Sequence, residues 1–141
     1  MKKYVLGFVF GPDLKSVALI LKKRPKWQEG RFNGIGGKIE VGETREAAMS
    51  REYYEETGVK IHSDNWAPFG WMGGVDWSCQ LFASYSNEVP YTTTDEEVMV
   101  FDVDSLPENK ISNVAWLVPL ARDILTNSSK MSVGVSYVAT E

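Results

Sequence analysis

Gly37 to Val59 reads G-K-I-E-V-G-E-T-R-E-A-A-M-S-R-E-Y-Y-E-E-T-G-V, a glycine-bounded loop that runs into a series of good helix formers. Thr44 is a suitable N-cap for a helix that begins after it, and Gly58 is a suitable stop signal. The stretch therefore predicts one loop followed by a helix over residues 44–57.

Three carboxylates lie on one face of this predicted helix. At about 100° per residue, Glu55 lies about 60° to one side of Glu52 and Glu56 about 40° to the other. Like charges this close raise each other's pKa and oppose folding, so we expect cations to neutralise them. Oxygen ligands without cysteine or histidine favour magnesium or manganese over zinc. The alternative is an ordinary solvated face, rich in glutamate because glutamate is a good helix former.

The spacing of residues around this face is more specific than the face itself. The fixed positions are Gly37, Glu43 after five residues, Arg51-Glu52 after seven more, then Glu55-Glu56 and Gly58. This arrangement resembles the signature box of the Nudix hydrolases at every charged and glycine position. Seven such positions match by chance in a chain of this length about once in a million. Tyr53 stands where the family usually has an aliphatic residue, which we expect to alter packing beneath the helix but to remove no metal ligand.

The resemblance implies a metal-dependent hydrolase. Two or more divalent ions that bridge a diphosphate spread its charge, lower the pKa of a bound water and hold that water in line with phosphorus. By resemblance, Glu52, Glu55 and Glu56 are the expected ligands of Mg²⁺, with Mn²⁺ as an alternative. One of the three is also expected to orient the water. The Gly36 carbonyl is expected to be a further ligand.

Other residues of the box have supporting roles by the same resemblance. Arg51 and Glu43 are expected to form an ion pair that fixes the loop onto the helix. Lys38 either reaches a phosphate or is simply solvated. Outside the box, Asp95-Glu96-Glu97 precedes a predicted strand. Glu97 or Glu96 is the expected additional acidic residue at the metals, and a solvated acidic turn is the alternative.

The pattern along the rest of the chain predicts a mixed sheet covered on both faces. Strands are predicted at 4–10, 16–22, 67–72, 78–85, 98–103 and 131–138, a short extended piece at 31–35, and a second helix at 113–125. The resemblance implies the Nudix-type α/β/α sandwich, a member of the α/β class, over residues 1–141 as a single domain.

Two asparagines are candidates for contact with a nucleotide base. The run from Gly30 to Lys38 resembles enzymes that sanitise oxidised purine nucleoside triphosphates, which places Asn33 near the base. Its alternative is a left-handed turn. Asn113 matches a position where some relatives place a base-reading amide, and its alternative is to cap the second helix. Animal members of that branch carry two aspartates near this point and this chain has none, so the resemblance leaves open whether the triphosphate is an oxidised purine deoxynucleotide or a canonical one.

These features predict hydrolysis of a nucleoside triphosphate to a nucleoside monophosphate and pyrophosphate. The alternatives are hydrolysis of another nucleoside diphosphate-linked compound, such as ADP-ribose, a dinucleoside polyphosphate or an RNA 5′ end, and a catalytically silent nucleotide sensor. The sensor is disfavoured because all box carboxylates are present.

Composition restricts the partners. The chain has 141 residues, 43% of them hydrophobic, and a net charge of −4, which disfavours a nucleic-acid coat or a membrane surface as partner. A small anionic nucleotide, the expected partner, would then have to be captured through metal and local lysines. The single cysteine of the chain, Cys79, is expected in a buried strand and fits a reducing compartment. No run of 18 apolar residues or signal peptide is apparent, so we expect a cytoplasmic protein. A tryptophan-rich surface is compatible with a homodimer.

Overall fold

The computed structural model describes residues 1–127 and 131–138. The strands in this part of the chain are β1 (Lys2–Phe10), β2 (Ser16–Leu21), β3 (Phe32–Asn33), β4 (Ile35–Lys38), β5 (Ala67–Gly73), β6 (Trp77–Tyr85), β7 (Val98–Asp102) and β8 (Val133–Ser136). The helices are α1 (Arg45–Thr57) and α2 (Val114–Thr126). Most of these elements begin and end within one or two residues of the predicted ranges. The predicted piece at 31–35 is the exception, since it is divided into β3 and β4 and continues to Lys38.

The strands form one mixed sheet in which β1 is central. The strand order is β3-β2-β1-β6-β5-β8, while β4 pairs with β1 and β7 pairs with β2. The pairs β1–β6 and β5–β8 are parallel, and the other pairs of named strands are antiparallel. This topology confirms the predicted mixed sheet.

One helix covers each face of the sheet. In β1, Val5 and Val9 pack into the cluster of buried residues that includes Met49 and Tyr53 of α1. Leu6 and its alternating neighbours pack instead into the cluster that contains the buried face of α2. Because β1 is buried on both sides, it reads as an almost continuous apolar run. Neither helix is long and apolar enough to cross a membrane.

The ends of α1 follow the capping signals in the sequence. The Thr44 hydroxyl accepts a hydrogen bond from the Ala47 N–H at 3.1 Å. Gly58 adopts a left-handed conformation with φ of 74°, and its N–H donates to the Tyr54 carbonyl at 2.9 Å. A residue with a Cβ is strained in that conformation, so glycine terminates the helix here.

Two single residues also lie where the sequence predicts. Tyr53 is buried, with its ring edge-on to Trp66 at 5.9 Å between centroids, so an indole accommodates the aromatic ring at this usually aliphatic position. Cys79 is buried in β6, and burial raises the pKa of its thiol to about 12.

Candidate active site

Arg51 joins the loop of the signature box to α1. Its Nε donates to Glu43 Oε2 at 2.7 Å and its Nη2 donates to Glu43 Oε1 at 2.9 Å, so the pair is bidentate. Nη2 also donates to the Lys38 carbonyl oxygen at 3.0 Å. The hydrogen bond from Arg51 is the main reason that the pKa of Glu43 lies below its ordinary value. The expected ion pair is therefore present, and it fastens residues 38–43 to the helix.

Arg51 also contacts two of the three predicted metal ligands. Its Nη1 donates to Glu52 Oε1 at 2.9 Å and lies 3.4 Å from the carboxylate of Glu55. The Glu52 side chain is 13% exposed, and burial raises its pKa although the hydrogen bond from Arg51 acts in the opposite direction. Glu55 is more open to solvent.

The glycines of β4 permit the close approach of the backbone to this cluster. A Cβ on Gly37 would collide with the Glu52 carboxylate, so this carboxylate lies directly against the β4 backbone. A Cβ on Gly36 would collide with the Val5 carbonyl of the neighbouring strand. Glycine at both positions thus brings the Gly36-Gly37 backbone and Glu52 together.

Glu56 belongs to a second group of charges, one turn further along α1. It is half-buried, and burial raises its pKa, while the positive charge of Lys22 is the largest influence in the opposite direction. The Thr94 hydroxyl lies 3.4 Å from Glu56 Oε2 and accepts a hydrogen bond from the Glu96 N–H at 3.1 Å. Thr94 thus joins Glu56 to the acidic loop at residues 95–97.

In that loop, Glu96 rather than Glu97 faces the site. Glu96 is only 4% exposed, and its carboxylate accepts hydrogen bonds from Lys22 Nζ at 3.1 Å and the Lys23 N–H at 2.7 Å. Although burial raises the pKa of Glu96, these hydrogen bonds outweigh it and the pKa is lowered. Glu97 is exposed, because side chains alternate where the chain enters β7. The expectation that Glu97 reaches the metals is not supported by this placement.

Lys22 is a functional candidate that sequence reasoning missed. The basic run 22–24 indicates an exposed strand end, but the Lys22 side chain is only 18% exposed. Its partner Glu96 lies 74 positions away in the sequence. The sequence offers one signal: the basic run 22–24 follows one predicted strand and the acidic run 95–97 precedes another. This signal does not by itself show that the two runs are in contact.

The side chains of the two candidate asparagines, Asn33 and Asn113, are hydrogen-bonded to other residues of the protein. Asn33 Nδ2 donates to Gln28 Oε1 at 3.0 Å, and its Oδ1 accepts from the Gly34 N–H at 2.8 Å. Among described residues Leu14 is the only non-glycine with positive φ, so the left-handed alternative for Asn33 is wrong.

Asn113 occupies the N-cap position of α2, as its alternative predicts, but its side chain makes no capping hydrogen bond. Its Nδ2 instead donates to the Tyr137 hydroxyl at 3.3 Å and lies 3.5 Å from Met72 Sδ. Its Oδ1 is buried and has no hydrogen-bond partner among the described residues. The Asn113 side chain does not cap α2 because it turns toward Met72 and Tyr137 on the sheet side of the helix.

The register of the sheet relates Asn113 to the signature box. Directly opposed residues form one row across four strands, from Lys38 in β4 through Tyr4 and Cys79 to Met72 in β5. Three steps between adjacent strands separate the ends of this row by about 14 Å. Asn113 contacts Met72 at one end, while Lys38 at the other end follows Gly37, which touches Glu52.

The donor groups of the site fit a hard divalent cation. They are carboxylates, and burial raises the pKa values of two of them, Glu52 and Glu56. The backbone of β4 lies close to Glu52 because residues 36 and 37 are glycines. Within residues 1–127 and 131–138, no three acidic, histidine or cysteine side chains already stand in the arrangement of a metal site. Arg51 and Lys22 instead hold the carboxylates in two groups.

Comparison with known proteins identifies this arrangement. The family model described as the NUDIX domain matches residues 2–123. The chain belongs to the Nudix family. Relatives of the chain in this family are named as hydrolases.

Similar Nudix proteins differ in their reported substrates. The oxidized purine nucleoside triphosphate hydrolase of Mus musculus is 33% identical over 111 residues, which cover 74% of this chain and 68% of that protein. The NAD-capped RNA hydrolase NudC of Vibrio atlanticus (strain LGP32) is 30% identical over 115 residues. That match covers 78% of this chain, which spans only 40% of the length of NudC.

Solved structures support the same fold. The crystal structure of a MutT protein from Bacillus halodurans superposes with a TM-score of 0.75 at 20% identity, and covers 99% of this chain and 91% of that one. This match confirms the predicted α/β/α sandwich.

Proposed function

We propose that this Nudix hydrolase cleaves a nucleoside triphosphate to a nucleoside monophosphate and pyrophosphate, with Mg²⁺ as the cofactor and Mn²⁺ as a substitute. The row from Met72 to Lys38 carries the proposal. Met72, which Asn113 contacts, and Lys38, which follows Gly37 beside Glu52, are about 14 Å apart along this row, and the unpartnered amide oxygen of Asn113 lies at the Met72 end. That separation is comparable to the length of a nucleotide whose base and phosphates are bound at opposite ends.

In this proposal the carboxylates bind the cofactor. Glu52, Glu55 and Glu56 would hold Mg²⁺ together with the Gly36 carbonyl. When bound, the cation supplies charge neutralisation and a water of lowered pKa. Arg51 and Glu43 keep the loop in place, and one carboxylate of the helix accepts a proton from the attacking water.

The substrate would lie along the row. Lys38 is exposed beside the cluster, where its ammonium group contacts a phosphate. The Asn113 oxygen accepts an N–H from the base edge, since a buried acceptor without a partner is costly. Asn33 retains one amide proton and one oxygen lone pair for the base.

A second candidate function is hydrolysis of a diphosphate that links a nucleotide to another group. The similarity to NudC, which is named for its action on NAD-capped RNA, favours it. The carboxylate cluster serves both reactions equally, and only the group beyond the diphosphate differs.

A substrate panel tests the choice. Purified protein is incubated with Mg²⁺ and, separately, canonical nucleoside triphosphates, 8-oxo-purine triphosphates, ADP-ribose, a dinucleoside polyphosphate and NAD-capped RNA. Monophosphate and pyrophosphate are resolved by chromatography. Pyrophosphate from a triphosphate supports the proposal, and Asn113→Ala should then raise KM more than it lowers kcat. Turnover of only the linked diphosphates would reject the first candidate in favour of the second.

A further inference from the structure

Two protein cations divide the acidic side chains of the site into separate groups. Arg51 contacts Glu43, Glu52 and Glu55. Lys22 instead lies at the other group, which Thr94 joins by hydrogen bonds to both Glu56 and the Glu96 backbone. The proposed metal ligand Glu56 therefore lies beside a lysine that comes from a different element of the fold.

Lys22 is held firmly in this place. Its N–H donates to the Arg31 carbonyl at 2.9 Å, and its own carbonyl accepts from the Gly30 N–H at 2.8 Å. Its ammonium donates to Glu96 Oε1 at 3.1 Å, and the other oxygen of Glu96 is occupied by the Lys23 N–H. With both backbone groups and the side chain bound, the ammonium group is held in the group of charges that includes Glu56, and its positive charge acts to lower the pKa of that carboxylate against the effect of burial.

The same contacts leave Glu96 poorly placed to act as a metal ligand. Its carboxylate is almost completely buried and receives hydrogen bonds from the Lys22 ammonium and the Lys23 N–H. A cation that bound Glu96 would have to displace the lysine first. The charge that remains available to a cation in this group is that of Glu56.

We propose that Lys22 is a positioning residue, held by Glu96 beside Glu56, whose positive charge opposes binding of the divalent cation there and so limits metal affinity. This inference rests on the metal site of the proposed function. Glu96 then serves as the anchor of Lys22 and not as a ligand.

Binding of Mn²⁺ without nucleotide tests the inference directly. The free ion is measured by electron paramagnetic resonance in titrations of wild type, Lys22→Met, Glu96→Gln and the double variant. Lys22→Met should tighten Mn²⁺ binding by roughly fivefold, the upper effect of one partly exposed charge pair. Glu96→Gln should weaken binding, because the released Lys22 turns toward Glu56. The double variant should bind at least as tightly as wild type, since no lysine remains to compete.

Two further variants serve as controls. Lys22→Arg retains the charge and should bind Mn²⁺ like wild type. Lys23→Met removes a neighbouring charge whose backbone, and not its side chain, contacts Glu96, and it should also bind like wild type. The variant with both Lys22→Met and Glu96→Gln leaves no unpaired buried charge, so it should fold even if Lys22→Met alone does not. Circular dichroism of each variant checks that it is folded.

Each result has a distinct meaning. If the double variant binds Mn²⁺ as weakly as Glu96→Gln, Glu96 is itself a ligand and the inference is wrong. Unchanged binding in a folded Lys22→Met also contradicts it, and so does an absence of Mn²⁺ binding in both wild type and Lys22→Met. If the predicted pattern of Mn²⁺ binding appears but no triphosphate is hydrolysed, the proposed substrate fails while the role of Lys22 stands.

Discussion

Replacing Arg51 with glutamine should destabilise the protein more than any ordinary surface change. The wild-type guanidinium makes two hydrogen bonds to Glu43, at 2.7 and 2.9 Å, one to Glu52 at 2.9 Å and one to the Lys38 carbonyl at 3.0 Å. Its side chain is 24% exposed, so water can replace only part of these contacts. Glutamine is too short and too poor in donors to reach more than one of the partners.

The size of the loss follows from these contacts. Removing one partner of a hydrogen bond to a charged group costs about 1.5 to 3 kcal/mol when the other remains buried. Two carboxylates, those of Glu43 and Glu52, lose such a partner, which gives a total of about 3 to 6 kcal/mol. Because both keep some access to water, we discount this total by about half and expect a loss of about 2 kcal/mol. Arg45 of the same helix provides a control on the exposed surface, where it pairs with Glu46 at 3.3 Å and donates to Gln80 Oε1 at 2.8 Å. Arg45→Gln should cost no more than about 1 kcal/mol.

Urea unfolding in the presence of EDTA, followed by tryptophan fluorescence, measures both variants. At pH 7 the midpoint of Arg51→Gln should fall with an unchanged slope. The pKa of Glu43 in the folded protein lies below its ordinary value of 4.5, so the ion pair contributes stability above that pH. This contribution is lost as the pH falls through the folded pKa, and the difference between wild type and variant should shrink there. A loss below about 1 kcal/mol at pH 7, or one equal to that of Arg45→Gln, would refute the reasoning.

Two other changes give clear expectations. Burial raises the pKa of Glu56, so the stabilising contribution of this side chain is present at low pH and is lost as the pH rises through the folded pKa. Glu56→Gln should therefore raise the Tm of the metal-free protein at pH 7.5, whereas Glu88→Gln, at an exposed position, should not. A lower Tm of Glu56→Gln would contradict burial as the cause. Gly58→Ala and Gly30→Ala each place a Cβ at positive φ, which costs about 1 kcal/mol. At Gly58 the Cβ also meets the ring end of Tyr91, an exposed side chain that can shift, so urea unfolding should show a loss at least as large as at Gly30, and a smaller loss at Gly58 would argue against that contact.

The sequence predicted those parts of the structure that depend on near neighbours or on strong periodicity. Helix α1 begins at its threonine cap and ends at Gly58, because both signals act within one turn of the backbone. The pair of Arg51 with Glu43 was available from the signature box, because the spacing within the box is fixed. Buried strands such as β1 followed from their apolar runs.

Contacts between distant segments could not be predicted in the same way. The basic run at 22–24 has the composition of a solvated strand end, and only the pairing of β2 with β7 brings Lys22 to Glu96. Asn113 has the residue type of a helix cap, yet its amide turns to Tyr137 and Met72, which lie on the sheet side of α2. Nor could the sequence show which of Glu96 and Glu97 is buried at the site, because successive side chains point to opposite sides where the chain enters β7.

The central claim is that the carboxylate face of α1 carries out metal-dependent hydrolysis of a nucleotide anhydride. Its most direct test is the Mg²⁺-dependent kcat of wild type, Glu55→Gln and Glu88→Gln on the best substrate of the panel. We predict that Glu55→Gln lowers kcat by more than about 100-fold, because the change removes a charged metal ligand, while Glu88→Gln leaves it unchanged. Hydrolysis by a folded Glu55→Gln at the wild-type rate would contradict the claim.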